Sequence, residues 1–205
     1  MKFEDIKEKI KGLQIIGKGW RGVVYKGILD NKILAFKVAS RPEVIKAIQK
    51  EGKVLEIVNK ENIGGRLTLK GEDFIAYQFI EGKHLIDIIN ENNYKDLIFQ
   101  IFIQCWKLDN LKINKDEMQR PLKNAIVNKE GKVYLIDFER AKFSKKPSNI
   151  TQLLQFILNL KDKYFPFIDK EKVINLGKNY KNDYSKDSLK KIINEILGEE
   201  YENKC

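Results

Sequence analysis

The run Gly17-Lys18-Gly19-Trp20-Arg21-Gly22-Val23-Val24 limits what the start of this chain can fold into. The residues just after the glycines decide the local fold. A helix there would be the dinucleotide-binding arrangement, in which a helix N-terminus holds a pyrophosphate. Instead the chain reads Val23-Val24-Tyr25, β-branched and aromatic, and so continues as a strand. With Leu13–Ile16 before the glycines and Val23–Ile28 after them, the segment predicts a hairpin. Glycines in its turn would let the backbone close over a phosphate group. An ordinary hairpin with a permissive turn is the plain alternative.

The rest of the chain extends this beginning. Residues 1–12 read as a short amphipathic helix or arm. The turn Leu29-Asp30-Asn31-Lys32 feeds a strand at Ile33–Val38. Val44, Ile48, Val54, Leu55 and Val58 fall near helical spacing and predict a helix over 42–59, broken by Asn62-Ile63-Gly64-Gly65. Strands are expected at Arg66–Leu69 and Phe74–Phe79. Glu81-Gly82 then marks a change of character. Residues 83–112 are expected to be mostly helical, and Val127–Val133 reads as a tight hairpin. After Asp137 the pattern is helical again, with a helix capped by Ser148 or Asn149 running through Leu160, and another from Ser185 to Leu197 stopped by Gly198. The tail Glu199–Cys205 is expected to fray. The sum is an α+β chain in two parts, a strand-rich unit with one helix over 1–81 and a mostly helical unit over 82–205.

Composition narrows the setting. The chain has 205 residues, 42% of them hydrophobic, enough for a folded core. Its 2 cysteines show no C-x-x-C spacing, which argues against a disulfide framework or a zinc site and suits a reducing, cytoplasmic setting. MKFEDIKEKIKGL lacks a secretory apolar region, and the apolar stretch Leu97–Trp106 is too short to span a bilayer, so no membrane partner is expected. The net charge of +10 would suit an acidic partner such as nucleic acid. The excess is nearly all lysine and is scattered along the chain, which does not favour that partner.

Four further segments bear residues with chemical potential. Ala35-Phe36-Lys37-Val38 places Ala35 and Lys37 on one strand face and Phe36 and Val38 on the other. Lys37 can thus face the glycine turn; a surface lysine is the alternative. Glu51, in the following helix, can pair with Lys37, and Glu56 competes for that role. Phe74-Ile75-Ala76-Tyr77-Gln78-Phe79-Ile80-Glu81-Gly82 is an apolar strand leading out of the first unit. Asn124-Ala125-Ile126-Val127 and Val133-Tyr134-Leu135-Ile136-Asp137-Phe138-Glu139 flank a short hairpin that brings two hard-oxygen donors, Asn124 and Asp137, together, a set that suits Mg²⁺. His84, the one histidine, reads as a solvated helix residue, and Phe99, Phe102 and Trp106 as helix core.

Taken in order, these elements resemble the protein-kinase-like superfamily over residues 17–139: a G-x-G-x-x-G-x-V loop, V-A-I-K, helix C, a hinge strand, and N-I-L-V followed by D-F-G. In size the chain is similar to the RIO and Bud32 groups. Asp116-Glu117-Met118 with Arg120-Pro121, and Asp137-Phe138-Glu139-Arg140, resemble an archaeal family of predicted serine/threonine kinases. The resemblance implies a two-lobed fold with Lys37 and Asp137 facing each other across a cleft. It implies an ATP-dependent phosphotransferase, with Mg²⁺ or Mn²⁺ and a protein or small-molecule acceptor. Gly17, Gly19, Gly22, Val24, Ala35 and Lys37 would surround the nucleotide, and the backbone of Gln78–Ile80 would meet adenine with Tyr77 behind it. Glu51 would orient Lys37, and Asn124 and Asp137 would hold the metal.

The chain departs from that pattern in three places. Gln119 stands where the H-R-D aspartate is expected, so Glu117, or Asp116 beside it, would have to orient the acceptor. Glu139 replaces the D-F-G glycine. Only Arg140–Pro147 separates this motif from the next helix, leaving no room for a long activation segment. The alternatives are therefore a small-molecule kinase, a pseudokinase, or a kinase-like ATPase subunit of a larger assembly.

Overall fold

The glycine turn joins two neighbouring strands of the sheet that organises the first part of the chain. The computed structural model describes residues 1–205 and is mixed α and β. Its contacts divide the chain into one unit of Met1–Glu81 with Ile136–Arg140 and another of Gly82–Leu135 with Ala141–Cys205. The segment around Asp137 thus belongs with the first unit, whereas the sequence boundary left it in the second. No helix is long and apolar enough to cross a membrane.

In the first unit a short helix α1 (Glu4–Lys7) precedes β1 (Lys11–Lys18), β2 (Gly22–Leu29) and β3 (Lys32–Ala39). Helix α2 (Ile45–Val58) comes next, then β4 (Leu67–Lys70) and β5 (Phe74–Gln78). The five strands form one antiparallel sheet in the order β1-β2-β3-β5-β4. Strand alternation gives its faces different jobs. Phe36, Phe74, Leu34 and Ala76 point to one face and bury against Phe3, Ile6 and Ile10 of the N-terminal arm. The Phe3 ring lies 5.2 Å from Tyr25 and 5.7 Å from Phe74. Each such side chain contributes roughly 1.5–3 kcal/mol on burial. The opposite face carries Ala35 and Lys37, paired in register with Tyr77 and Ile75. There α2 lies close to the sheet, since a Cβ at Gly52 would come within 2.9 Å of Ile75 Cγ2.

The second unit begins with β6 (Gly82–His84), α3 (Leu85–Ile88) and α4 (Tyr94–Asn110). After β7 (Ile113–Asn114) come the hairpin β8 (Ala125–Asn128) and β9 (Val133–Leu135), then β10 (Lys142–Phe143). Helices α5 (Asn149–Asn159), α6 (Lys161–Tyr164), α7 (Lys170–Asp183), α8 (Lys186–Leu197) and α9 (Glu199–Lys204) complete it. Strands β6, β8 and β9 form one small sheet and β7 with β10 another. Exposed His84 therefore ends a strand rather than lying in a helix. Leu97, Ile98, Ile101, Phe102, Cys105 and Leu108 form the buried stripe of α4, while Phe99 and Trp106 are only partly buried. Gln100 and Gln104 on α4 hold the hairpin by accepting from Val133 N–H at 2.9 Å and donating to its carbonyl at 2.9 Å, respectively.

Among the last helices one departs from the sequence expectation, the C-terminal α9. Helix α7 has a stripe of only Val173, Gly177 and Tyr180, spaced at helical period but polar around them. The tail is not frayed: α9 buries Tyr201, whose hydroxyl donates to Asp96 Oδ1 at 2.9 Å. The predicted stop at Gly198 is present at φ 104°, a conformation open to glycine.

Candidate functional site

Lys37 is the centre of the first unit's polar chemistry. Strand β3 delivers it to the face covered by α2, where the side chain is 9% exposed. Its Nζ lies 2.7 Å from Glu51 Oε2, 3.1 Å from Asp137 Oδ1 and 3.3 Å from Glu139 Oε2. Glu51 sits on α2 with Ile48 and Leu55 on the same buried stripe, three and four residues away, which is why helical geometry directs it at the sheet. Glu56 points elsewhere and pairs with Lys70 at 2.5 Å. Glu51 also accepts from the Phe138 N–H through Oε1 at 3.1 Å, so one carboxylate fixes both Lys37 and the backbone beside Asp137.

The electrostatics reflect burial and crowding. Burial pulls the Lys37 pKa down, but Glu51, Asp137 and Glu139 more than offset this and hold it above the ordinary lysine value. Burial pushes the Glu51 carboxyl up, with Lys37 opposing. Tyr77, beside this cluster, is likewise raised by burial and then by Glu51. A buried ion pair rarely improves on apolar packing of the same volume. This cluster therefore has weak justification as a stabilising device.

The glycine turn is closed by Gly19 N–H donating to the Gly22 carbonyl at 2.9 Å. Its three glycines are not equivalent. A Cβ at Gly22 would lie 2.5 Å from the Val38 carbonyl oxygen, so that glycine is required by the approach of β2 to β3. At Gly17 and Gly19 the nearest atoms would be 3.9 and 3.8 Å away, so packing does not require glycine there. Val24 pairs in register with Lys37 and shares its face with Ala35. Arg21, from the turn itself, reaches Glu139 Oε1 at 2.7 Å.

The end of β5 is tied into the first unit through its backbone. Gln78 N–H donates to the Arg66 carbonyl at 2.8 Å and Phe79 N–H to the Ile33 carbonyl at 3.1 Å. Both backbone donors are thus engaged within the first unit. A surface groove lined by Glu56, Asn59, Lys60 and Arg66 contains none of the cluster around Lys37.

In the second unit Asn124 Nδ2 donates to Glu117 Oε2 at 3.2 Å. Asp116 is engaged differently: it accepts from Asn114 Nδ2 and pairs with Lys142 at 3.3 Å. Asp116 and Glu117 both have left-handed backbones, at φ 63° and 60°. For a glutamate this costs about 1–3 kcal/mol and needs external support. The loop has it: Asn149 Oδ1 accepts from Lys115 N–H at 2.8 Å and Gln152 Oε1 from Met118 N–H at 3.0 Å. Beneath lies buried Asp109, accepting from Asn149 Nδ2 at 2.7 Å and Tyr180 Oη at 3.0 Å. Gln119 buries a side-chain oxygen with no hydrogen-bond partner.

Sequence reasoning did not connect Arg21 with Glu139, and it did not pick out Gln152 or the Asp109 network. Asp109 had a signal, an acid four residues after Cys105 on an apolar stripe. Of the candidate metal ligands, Asp137 belongs to the first unit and Asn124 to the second. Glu51, Asp137 and Glu139 each offer an oxygen, all within 4.8 Å of one another, a hard-donor set of the kind Mg²⁺ accepts. No family model matches this chain, and no curated protein matches it.

Proposed function

We propose that the chain is an ATP-dependent phosphotransferase of the protein-kinase-like superfamily, an atypical serine/threonine kinase. One arrangement carries this reading: buried Lys37 held by Glu51, with Asp137 beside it, on β3, the strand paired with the one that follows the glycine turn. Lys37 would hold the α- and β-phosphates, Glu51 would keep it extended, and Gly17 and Gly19 would let the turn approach the phosphates. Asp137 is the proposed ligand of Mg²⁺ or Mn²⁺, which when bound supplies neutralisation of phosphate charge.

Glu117 is the proposed residue for orienting the acceptor hydroxyl. Asn124 already hydrogen-bonds its carboxylate, whereas Asp116 is ion-paired with Lys142. Phosphoryl transfer needs little base strength and mainly needs an oxygen held in line. The acceptor is a protein, this chain itself, or a small molecule. Gln119 in the usual aspartate position favours the second reading, a kinase-like ATP-binding or ATPase subunit.

The test is incubation with γ-labelled ATP and Mg²⁺ or Mn²⁺, alone and with cell extract. Label on the chain or on an extract component supports transfer. Release of inorganic phosphate alone supports the ATPase reading, and no turnover with retained ATP binding supports a pseudokinase.

A further inference from the structure

Glu139 stands where the resemblance calls for glycine, and it bridges two cations. Its Oε1 lies 2.7 Å from Arg21 Nη1 and its Oε2 lies 3.3 Å from Lys37 Nζ. One carboxylate oxygen thus faces each cation. An ammonium and a guanidinium converging on one small anion define an anion-binding position, and phosphate oxygens make the same charge-assisted hydrogen bonds as carboxylate oxygens. Arg21 suits that role because its planar fork matches phosphate and cannot lose its charge. Its backbone is fixed as well, since its carbonyl accepts from Ser40 N–H at 3.2 Å.

The charges within the cluster define what a nucleotide would meet. Lys37 and Arg21 face Glu51, Asp137 and Glu139, so the carboxylates already outnumber the cations. Glu51 is buried and committed to Lys37 and to Phe138 N–H. Glu139 is held only by its two cations and the turn segment that carries it. It is the carboxylate a phosphate can replace.

We propose that Arg21 is a phosphate ligand beside Lys37, and that Glu139 is an internal competitor that occupies both cations until a polyphosphate displaces it. This rests on the nucleotide reading above and adds two residues to it. Glu139 would then lower the affinity for polyphosphates, and Arg21 would contribute to binding whether or not Glu139 is charged. A purely structural Arg21–Glu139 ion pair makes a different forecast: Arg21 would lose its effect once Glu139 is neutral.

The experiment is calorimetric titration of the full chain with Mg·ATP, inorganic triphosphate and adenosine. It compares wild type, Glu139→Gln, Arg21→Ala, Arg21→Lys and the Glu139→Gln/Arg21→Ala double variant, with circular dichroism as the check of fold. Glu139→Gln is expected to bind ATP and triphosphate about tenfold more tightly, the loss of one charged competitor. Arg21→Ala is expected to weaken both by about tenfold in either background. Arg21→Lys should fall between, and adenosine should be unaffected throughout. The proposal is overturned if the double variant binds triphosphate as well as Glu139→Gln alone, or if Glu139→Gln binds no more tightly than wild type. If wild type nevertheless binds ATP, the nucleotide reading survives that failure. If neither wild type nor Glu139→Gln binds ATP or triphosphate, both fall together.

Discussion

Lys37 and Glu51 form an ion pair with Nζ 2.7 Å from Oε2, and both residues are almost entirely buried. Two charges in such a place are held by each other, so removing one exposes the cost of the other.

Lys37→Met would leave Glu51 buried without its main counter-charge. We expect a loss of about 3–5 kcal/mol near neutral pH, the usual cost of breaking a buried pair. The deficit should shrink in acid. Burial already raises the Glu51 pKa, and Lys37 is the main influence opposing it. Without Lys37 the folded-state value rises further above the unfolded one. A raised carboxyl contributes stability that is fully present below the unfolded pKa and is lost as pH rises through the folded pKa. Urea unfolding of both proteins at about pH 5 and about pH 8 measures this, and the gap should be wider at the higher pH.

Glu51→Gln should abolish phosphoryl transfer, because Lys37 loses the carboxylate that holds it. Glu56→Gln should leave transfer within about twofold of wild type and stability within about 1 kcal/mol, since the Glu56–Lys70 pair is half exposed. Parallel assays of the two variants check the register of α2. Equal losses would contradict it.

The glycines of the turn should separate by mechanism. Gly22→Ala forces a Cβ against the Val38 carbonyl at 2.5 Å and should lower the melting temperature. Gly17→Ala and Gly19→Ala have room and should melt within a few degrees of wild type while binding ATP more weakly. Thermal melts with and without ATP distinguish these effects.

Much of the first unit is legible in the sequence because its elements have clean periods. Alternation along Ala35–Val38 sends Phe36 into the core and Lys37 to the other face, whereas Glu51 is set apart from Glu56 in the sequence only by the resemblance of its segment, and the buried stripe with Ile48 and Leu55 is what aims the carboxylate. Arg21 and Glu139 were illegible because their contact spans 118 residues and depends on two side chains reaching toward each other. At the level of sequence Glu139 registers only as a missing glycine. Asp116 and Glu117 could not be separated for a similar reason: their difference lies in Lys142 and Asn124, which no local pattern connects to them. The tail misled because Glu199, Glu200 and Glu202 surround the one residue, Tyr201, that docks it.

That docking gives a prediction for the second unit. Tyr201→Phe removes the hydroxyl bond to Asp96 and should cost about 1 kcal/mol. Tyr201→Ala also loses the ring packed 5.5 Å from Phe99 and should cost about 3–5 kcal/mol. Denaturant unfolding of the two variants tests the order. Equal, negligible effects would mean that the tail is not docked in solution.

The nucleotide reading stands or falls on titration of Mg·ATP into wild type and into a Lys37→Met/Glu51→Gln double variant, which removes both charges and so spares the fold the cost of either alone. Wild type should bind saturably, and the double variant should lose about a hundredfold or more in affinity, the scale of two charge-assisted phosphate hydrogen bonds. Equal affinity in the two proteins, or no binding by wild type, would contradict it.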